Sequence, residues 1–230
     1  MRYGPDHKQR TRERVLRAAA SAIRSAGPHR VSVAAVMTGA GLTHGGFYAH
    51  FASKDELVTE AISQMFADAR ARFERETAGL GPDEALGNYI EFYLSRWHRD
   101  ARERGCPVPF LAADLPRLTG AARARFAAGI AWMTGSVTRL LEELGRPDPE
   151  ALAASAVAEL VGALTVARAI GNDRQSDLIL AHSAFALRNR LGLANGRCAA
   201  GQSPTKPSGS GAMPSAADGR QREDHESTHH

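Results

Sequence analysis

Tyr48, His50 and Lys54 are hydrogen-bond donors spaced along the end of one short helix and the start of the next, within Gly41–Lys54, GLTHGGFYAHFASK. Thr43 is a good N-cap for a helix over 44–49. Gly45 and Gly46 fall inside that helix, where each costs about 1 kcal/mol relative to alanine. A core helix rarely accepts two glycines in a row. A helix whose backbone must approach another molecule closely can. Donors on a turn, a close-approach helix and a helix N-terminus suit a row of phosphates.

The preceding segment completes the unit that must position these donors. Val31–Thr38, VSVAAVMT, reads as a short helix with Ser32 near its start and Val33 and Val36 facing inward. Gly39-Ala40-Gly41 breaks it, and Leu42 plugs the gap before Thr43. Two short helices joined by a tight glycine turn form the bipartite DNA-reading unit, whose second helix enters the major groove. The expected DNA contacts are Ser32, Thr43, His44, Gly45, Gly46, Tyr48, His50 and Lys54. His44 is the candidate for a base edge, because the adjacent glycines let the backbone come close. An ordinary core hairpin would not gather polar, glycine and aromatic positions so tightly.

At these residues the chain resembles the TetR family of transcriptional regulators. The family pattern A-G-[VL]-[ST]-x-G-x-[FLY]-Y-x-H-F-x-x-K-x-x-L stands here as Ala40-Gly41-Leu42-Thr43-His44-Gly45-Gly46-Phe47-Tyr48-Ala49-His50-Phe51-Ala52-Ser53-Lys54-Asp55-Glu56-Leu57. The position of Gly46 often carries a threonine or another contacting side chain in the family, and Gly46 offers none. Beyond this head the likeness lies only in helix number, order and length. The resemblance implies a homodimer formed by the last two long helices as a four-helix bundle, and a small-molecule pocket in the body.

Charge agrees with a nucleic-acid partner. Residues 1–54 hold nine Lys or Arg against two acids, a net +7, which leaves −3 on the rest of a 230-residue chain of formal charge +4. A basic head on a mildly acidic body is the electrostatic footprint of a nucleic-acid binder joined to a non-binding domain. The two cysteines, Cys106 and Cys198, cannot make a disulfide framework or a zinc site alone. No metal or cofactor is expected. The polar start of the chain does not read as a signal peptide, and no apolar run reaches the roughly 18 residues of a membrane span. A reducing cytoplasm is the expected location.

Helical periodicity runs through the remainder and no segment alternates like a strand, so the fold class is all-α. The expected division is a helix-turn-helix domain over 1–54, a helical ligand-binding and dimerisation domain over 55–194, and a disordered tail over 195–230. The first helix covers 8–26, with Val15, Leu16, Ala19, Ile23 and Ala26 on one stripe. Ser53-Lys54-Asp55-Glu56 is a capping box opening a helix to about Ala78. Further helices are expected over 82–103, 119–144, 148–170 and 176–191, with only a short broken helix in Cys106–Pro116. The helix over 148–170 is rich in Ala and Gly, which permits close approach on more than one side. Gly162, Ala163 and Phe185 are the candidate dimer-interface residues, in the bundle seam. An internally packed helix is the alternative. The tail is Gly-, Ser- and Pro-rich, and its His225, His229 and His230 read as solvated.

The aromatic and sulfur residues Phe92, Tyr93, Trp97, Phe110, Phe126, Trp132 and Met133 are candidates for the pocket, of which two or three are expected to line it. Trp97, Phe110 and Trp132 are joined by Cys106 as candidate ligand or sensor residues. Cys106 lies between Gly105 and Pro107, shortly after Arg99, Arg102 and Arg104. Nearby cations and a positive helix end lower a thiol's pKa, so Cys106 is a candidate sensor of oxidants or electrophiles. A small buried hydrophobe at a helix start is the alternative. Three functional classes follow. The first is a ligand- or electrophile-released dimeric repressor on a near-palindromic operator. The second is a DNA-binding protein without an effector. The third is an enzyme using Cys106, for which His98 and His182 have no orienting partner or motif.

Overall fold

The computed structural model describes residues 5–194. The expectations for the tail, including Cys198 and the terminal histidines, lie outside the described residues. Within them the chain is helical throughout: α1 Pro5–Ala26, α2 Val33–Gly39, a 3-10 reading helix His44–Ala49, α3 Lys54–Thr77, α4 Pro82–Tyr93, α5 Arg96–Asp100, α6 Val108–Leu111, α7 Gly120–Glu143, α8 Pro149–Ile170 and α9 Arg174–Arg190.

In the head, Val15, Leu16, Ala19 and Ile23 of α1 are buried with Val36, Met37, Phe47, Phe51 and Leu57, whereas Ala26 is exposed. Ser32 caps α2, its Oγ accepting the Ala35 N–H at 3.4 Å. The turn after α2 is a Schellman motif: Leu42 N–H donates to Met37 O and Gly41 N–H to Thr38 O, both at 2.9 Å. Gly41 sits at φ +69°, a conformation that disfavours any side chain. This lock sets the angle between α2 and the reading helix.

α3 is the backbone of the molecule, packing on α1 at its start and on α7 and α4 farther along. Its N-terminus is fixed by Ser53 Oγ, which accepts the Glu56 N–H at 3.1 Å. Glu56 in turn accepts the Ala52 N–H at 2.7 Å, a capping box displaced by one residue. α7, α8 and α9 pack in sequence against one another.

Three expectations are corrected. The helix over 82–103 is broken: α4 ends at Tyr93, and Ser95 starts α5 by accepting the His98 N–H at 3.1 Å. That break turns Trp97 outward, leaving it 40 % exposed. Thr43 precedes the reading helix without capping it through its side chain, and α9 begins at Arg174, two residues before its expected start, capped by Asp173. Finally, α8 is long and apolar enough, by composition alone, to cross a membrane. Its alanines supply that hydropathy, and Ala153, Ala156, Val157, Leu160 and Leu164 are buried in the core with α7 and α9.

Candidate functional site

The reading helix offers its polar positions to solvent. Phe47 is buried and stacks on Phe51 with ring centroids 5.7 Å apart, which pins the helix to the head core. Tyr48, edge-on to Phe47, is 72 % exposed. Thr43, His44 and Gly45 are exposed as well. A Cβ at Gly45 would meet nothing within 4 Å, and one at Gly46 only Met37 Cε at 3.7 Å. The protein's own packing therefore does not demand these glycines. Lys54 Nζ donates to His29 O at 3.2 Å, which holds the ammonium at the edge of the same face. His50 is half-buried, and its pKa is lowered by burial and then by Lys8, Arg12 and His7. Ser32 remains exposed although its hydroxyl is used as a cap.

The body contains a hollow of about 20 Å³ lined by residues that include Tyr89, Phe92, Tyr93, His98, Cys106 and Met133. It has room for about one water molecule. Cys106 is 6 % exposed, and burial pushes its thiol pKa up, against the lowering that its neighbouring arginines led one to expect. Desolvation of the thiolate outweighs the opposing influence of Tyr93, the Val108 backbone, Arg168 and Arg24. The buried Tyr93 hydroxyl lies beside the thiol without an aligned hydrogen-bond partner. Of the seven aromatic and sulfur candidates, Phe92, Tyr93 and Met133 reach the hollow. Trp97 lies outside, its ring tilted 44° to that of Phe92, with the Arg72 guanidinium over it. Phe110 carries the Arg168 guanidinium 4.4 Å above its ring. Trp132 lines a separate open groove between α3 and α7, of about 360 Å³. The four candidate ligand and sensor residues are thus not gathered in one cavity.

The residues that organise the hollow were largely missed from sequence. His98 donates from Nδ1 to Tyr93 O at 2.7 Å and accepts the Cys106 N–H on Nε2 at 2.9 Å. Arg168, from α8, donates to His98 O at 2.7 Å and to Arg99 O at 3.2 Å. Burial lowers its pKa to about 10. On the other side Glu103 receives α1: its carbonyl accepts from Arg24 at 3.2 Å and its carboxylate from Ser21 at 3.3 Å. The segment 98–106 therefore touches the head helix α1 and the core helix α8 at once. No group of three or more His, Cys, Asp or Glu side chains able to hold a metal is found among the described residues.

Residues 15–61 match the sequence profile described as bacterial regulatory proteins, tetR family, the span that contains the whole reading unit. The head of the chain is that of the TetR family's DNA-binding domain. No curated protein matches it by sequence. Among solved structures, a TetR transcriptional regulator from Chloroflexus aurantiacus is 25 % identical with a TM-score of 0.71, covering 81 % of this chain and 96 % of that one. A TetR-family regulator from Agrobacterium tumefaciens is 24 % identical, TM-score 0.69, covering 80 % and 98 %. The reduced form of E. coli NemR shares the fold at 18 % identity, TM-score 0.70, covering 78 % and 95 %. The chain therefore joins a TetR-type helix-turn-helix head to a helical C-terminal domain with the fold of TetR-family regulators.

The last two helices expose most of the large apolar side chains found exposed among the described residues. Of the six large hydrophobic side chains exposed among the described residues, Val166, Ile170, Leu178 and Phe185 lie on α8 and α9. Gly162 is exposed on the same helix as Val166 and Ile170, whereas Ala163 is buried within the subunit, facing the core.

His98 gives the body a pH dependence. It is 2 % exposed, and burial lowers its pKa to about 4 from 6.5. Protonation would also place an N–H against the Cys106 N–H. The unfolded chain takes up this proton first, so stability is full above about pH 6.5 and falls as pH drops toward 4, by about 3 kcal/mol over the window. Thermal melts of wild type and His98→Gln across that window are expected to show the added slope in wild type only.

Proposed function

We propose that this chain is a dimeric repressor that binds a near-palindromic operator through its reading helix and is released by a small apolar or electrophilic compound acting at the Cys106 hollow. The DNA-reading half is carried by the exposed 3-10 helix, whose glycines serve no internal packing. Tyr48, His50 and Lys54 hold phosphates, and His44 reaches a base edge. Ser32 adds a contact from the start of α2. The apolar face of α8 and α9, with Gly162 and Phe185 in its seam, pairs two subunits. Two reading helices then lie about 34 Å apart, one turn of duplex.

The effector half is supported by the connections of segment 98–106. A group placed in a hollow with room for one water must displace Cys106, His98 or Tyr93. Displacing them pulls on Glu103, and so on Ser21 and Arg24 of α1. A hundredfold loss of operator affinity needs about 2.7 kcal/mol of coupling between the two sites. The raised thiol pKa makes Cys106 a slow nucleophile at neutral pH, so an electrophile reacts faster as pH rises.

The test is operator binding before and after an alkylating agent or an oxidant, in wild type and Cys106→Ser. A sensing thiol gives release in wild type, reversal by reductant after oxidation, and little response in the serine variant. Equal responses in both proteins remove Cys106 from the mechanism and leave a reversibly bound ligand as the effector.

A further inference from the structure

The outward face of α1 carries three arginines that the operator contacts do not use. The buried side of this helix is formed by Thr11, Val15, Leu16, Ala19 and Ile23. Opposite it stand Arg10, Arg14 and Arg17, all exposed and spaced by four and three residues, so that they share one face. Other arginines of the helix are neutralised within the fold. Arg12 lies 3.5 Å from Glu56 and 3.7 Å from Glu60, and Arg24 lies 3.0 Å from Asp68. Among the described residues no carboxylate pairs with Arg10, Arg14 or Arg17; Arg10 reaches only the Asp6 carbonyl, at 3.2 Å. The nearest acid on the helix, Glu13, is engaged by Gln9 at 2.9 Å.

The start of α1 lies against the reading unit. Arg12, between Arg10 and Arg14 in the chain, holds its guanidinium 4.6 Å from the ring centroid of Phe51, the residue after His50. His50 belongs to the row of donors assigned to phosphates, so the N-terminal turns of α1 stand beside the operator backbone. Arg10 and Arg14 flank the Arg12 contact, about 6 Å apart along the helix at 1.5 Å per residue. Three unpaired guanidinium groups in a row suit a polyanion whose charges repeat along a line, and duplex DNA presents one charge per roughly 1.7 Å of its axis.

We propose that Arg10 and Arg14 of α1 bind the phosphate backbone of duplex DNA flanking the operator, outside the base pairs that the reading helix meets. The contact extends the footprint without adding sequence preference, because phosphate contacts position rather than specify. Arg17, the residue of the strip farthest from the reading helix, contributes least. This inference rests on the reading of the head as a DNA binder.

The experiment compares two duplexes that share one operator, found by selection with the full chain. One duplex is trimmed to the operator; the other continues for about one helical turn, roughly 10 base pairs, on each side. Binding is measured over a range of salt for wild type, Arg10→Ala/Arg14→Ala and Arg17→Ala, with Lys54→Ala as the operator-contact control. Wild type is expected to prefer the longer duplex. The double variant is expected to lose that preference, on the order of tenfold at low salt, while binding the trimmed duplex as wild type does. Its salt slope on the longer duplex should fall by about 2 per subunit. Arg17→Ala should stay close to wild type. If the double variant keeps the preference for the longer duplex, the strip does not bind DNA and its partner is another acidic surface. If it weakens both duplexes equally, the arginines belong to the operator contact and the flanking assignment is overturned. If wild type selects no duplex at all, the DNA-binding reading fails instead. Equal thermal melts show that the exposed substitutions leave the fold intact.

Discussion

Glutamate in place of Phe185 is expected to leave each subunit folded and to cost operator affinity a factor of about 10² to 10⁴. Phe185 is 60 % exposed, so its replacement removes little from the subunit core. α8 and α9 also expose Leu178, Val166 and Ile170, and in the proposed dimer a second copy covers them. A carboxylate in the middle of that seam faces its own symmetry mate. The pair repels, and both charges lose water on association. Without the dimer, each head binds its half-site alone, and the gain from joining two binding events in one molecule is lost. Sedimentation at micromolar concentration should report a dimer for wild type and a monomer for the variant. A wild-type monomer that still grips a palindrome tightly would contradict the pairing.

Arg99→Ala is expected to destabilise the body by about 3 kcal/mol. Arg99 is 2 % exposed and tied to four side chains: Asp100 at 2.7 Å, Asp177 at 2.8 Å, Ser176 at 2.9 Å and Asn172 at 2.6 Å. The Asp100 hydrogen bond leads in raising its pKa, and Arg99 lowers that of Asp100 in return. Deleting the guanidinium leaves these groups without their shared donor and loosens α5 from the start of α9. Denaturant unfolding should show a lower midpoint with an unchanged slope. An effect within 0.5 kcal/mol, the range of an ordinary surface substitution, would mean that solvent replaces this network at no cost.

The reading unit was legible in sequence because local chemistry determines it. Glycine at positions 39 and 41, the capping serines at 32 and 53, and the aromatic pair at 47 and 51 each act within a few residues of themselves. The long helices were legible for the same reason, through apolar periodicity and the prolines and glycines at their ends. The break after Tyr93 was not. Leu86, Ile90, Tyr93, Leu94 and Trp97 continue one apolar stripe, and only the Ser95 cap interrupts it. The hollow was hidden because it depends on partners far apart in the chain. Arg168 meets His98 across seventy positions, and Glu103 meets Arg24 across seventy-nine. A lone arginine in an alanine-rich helix was the one available sign of Arg168. The thiol pKa of Cys106 was expected to fall because its neighbouring arginines were visible in sequence and its burial was not.

The most direct test of the account is selection of duplexes from a random pool with the full-length chain, followed by titration of the enriched site at several salt concentrations. The account predicts a near-palindrome with half-site centres about 34 Å apart and affinity that falls steeply with salt. Tyr48→Phe, His50→Ala and Lys54→Ala should weaken all sequences about evenly, whereas His44→Ala should relax the preference at one position of each half-site. Failure to enrich any site, or enrichment of a site without two-fold symmetry that His44→Ala binds as wild type does, would contradict it.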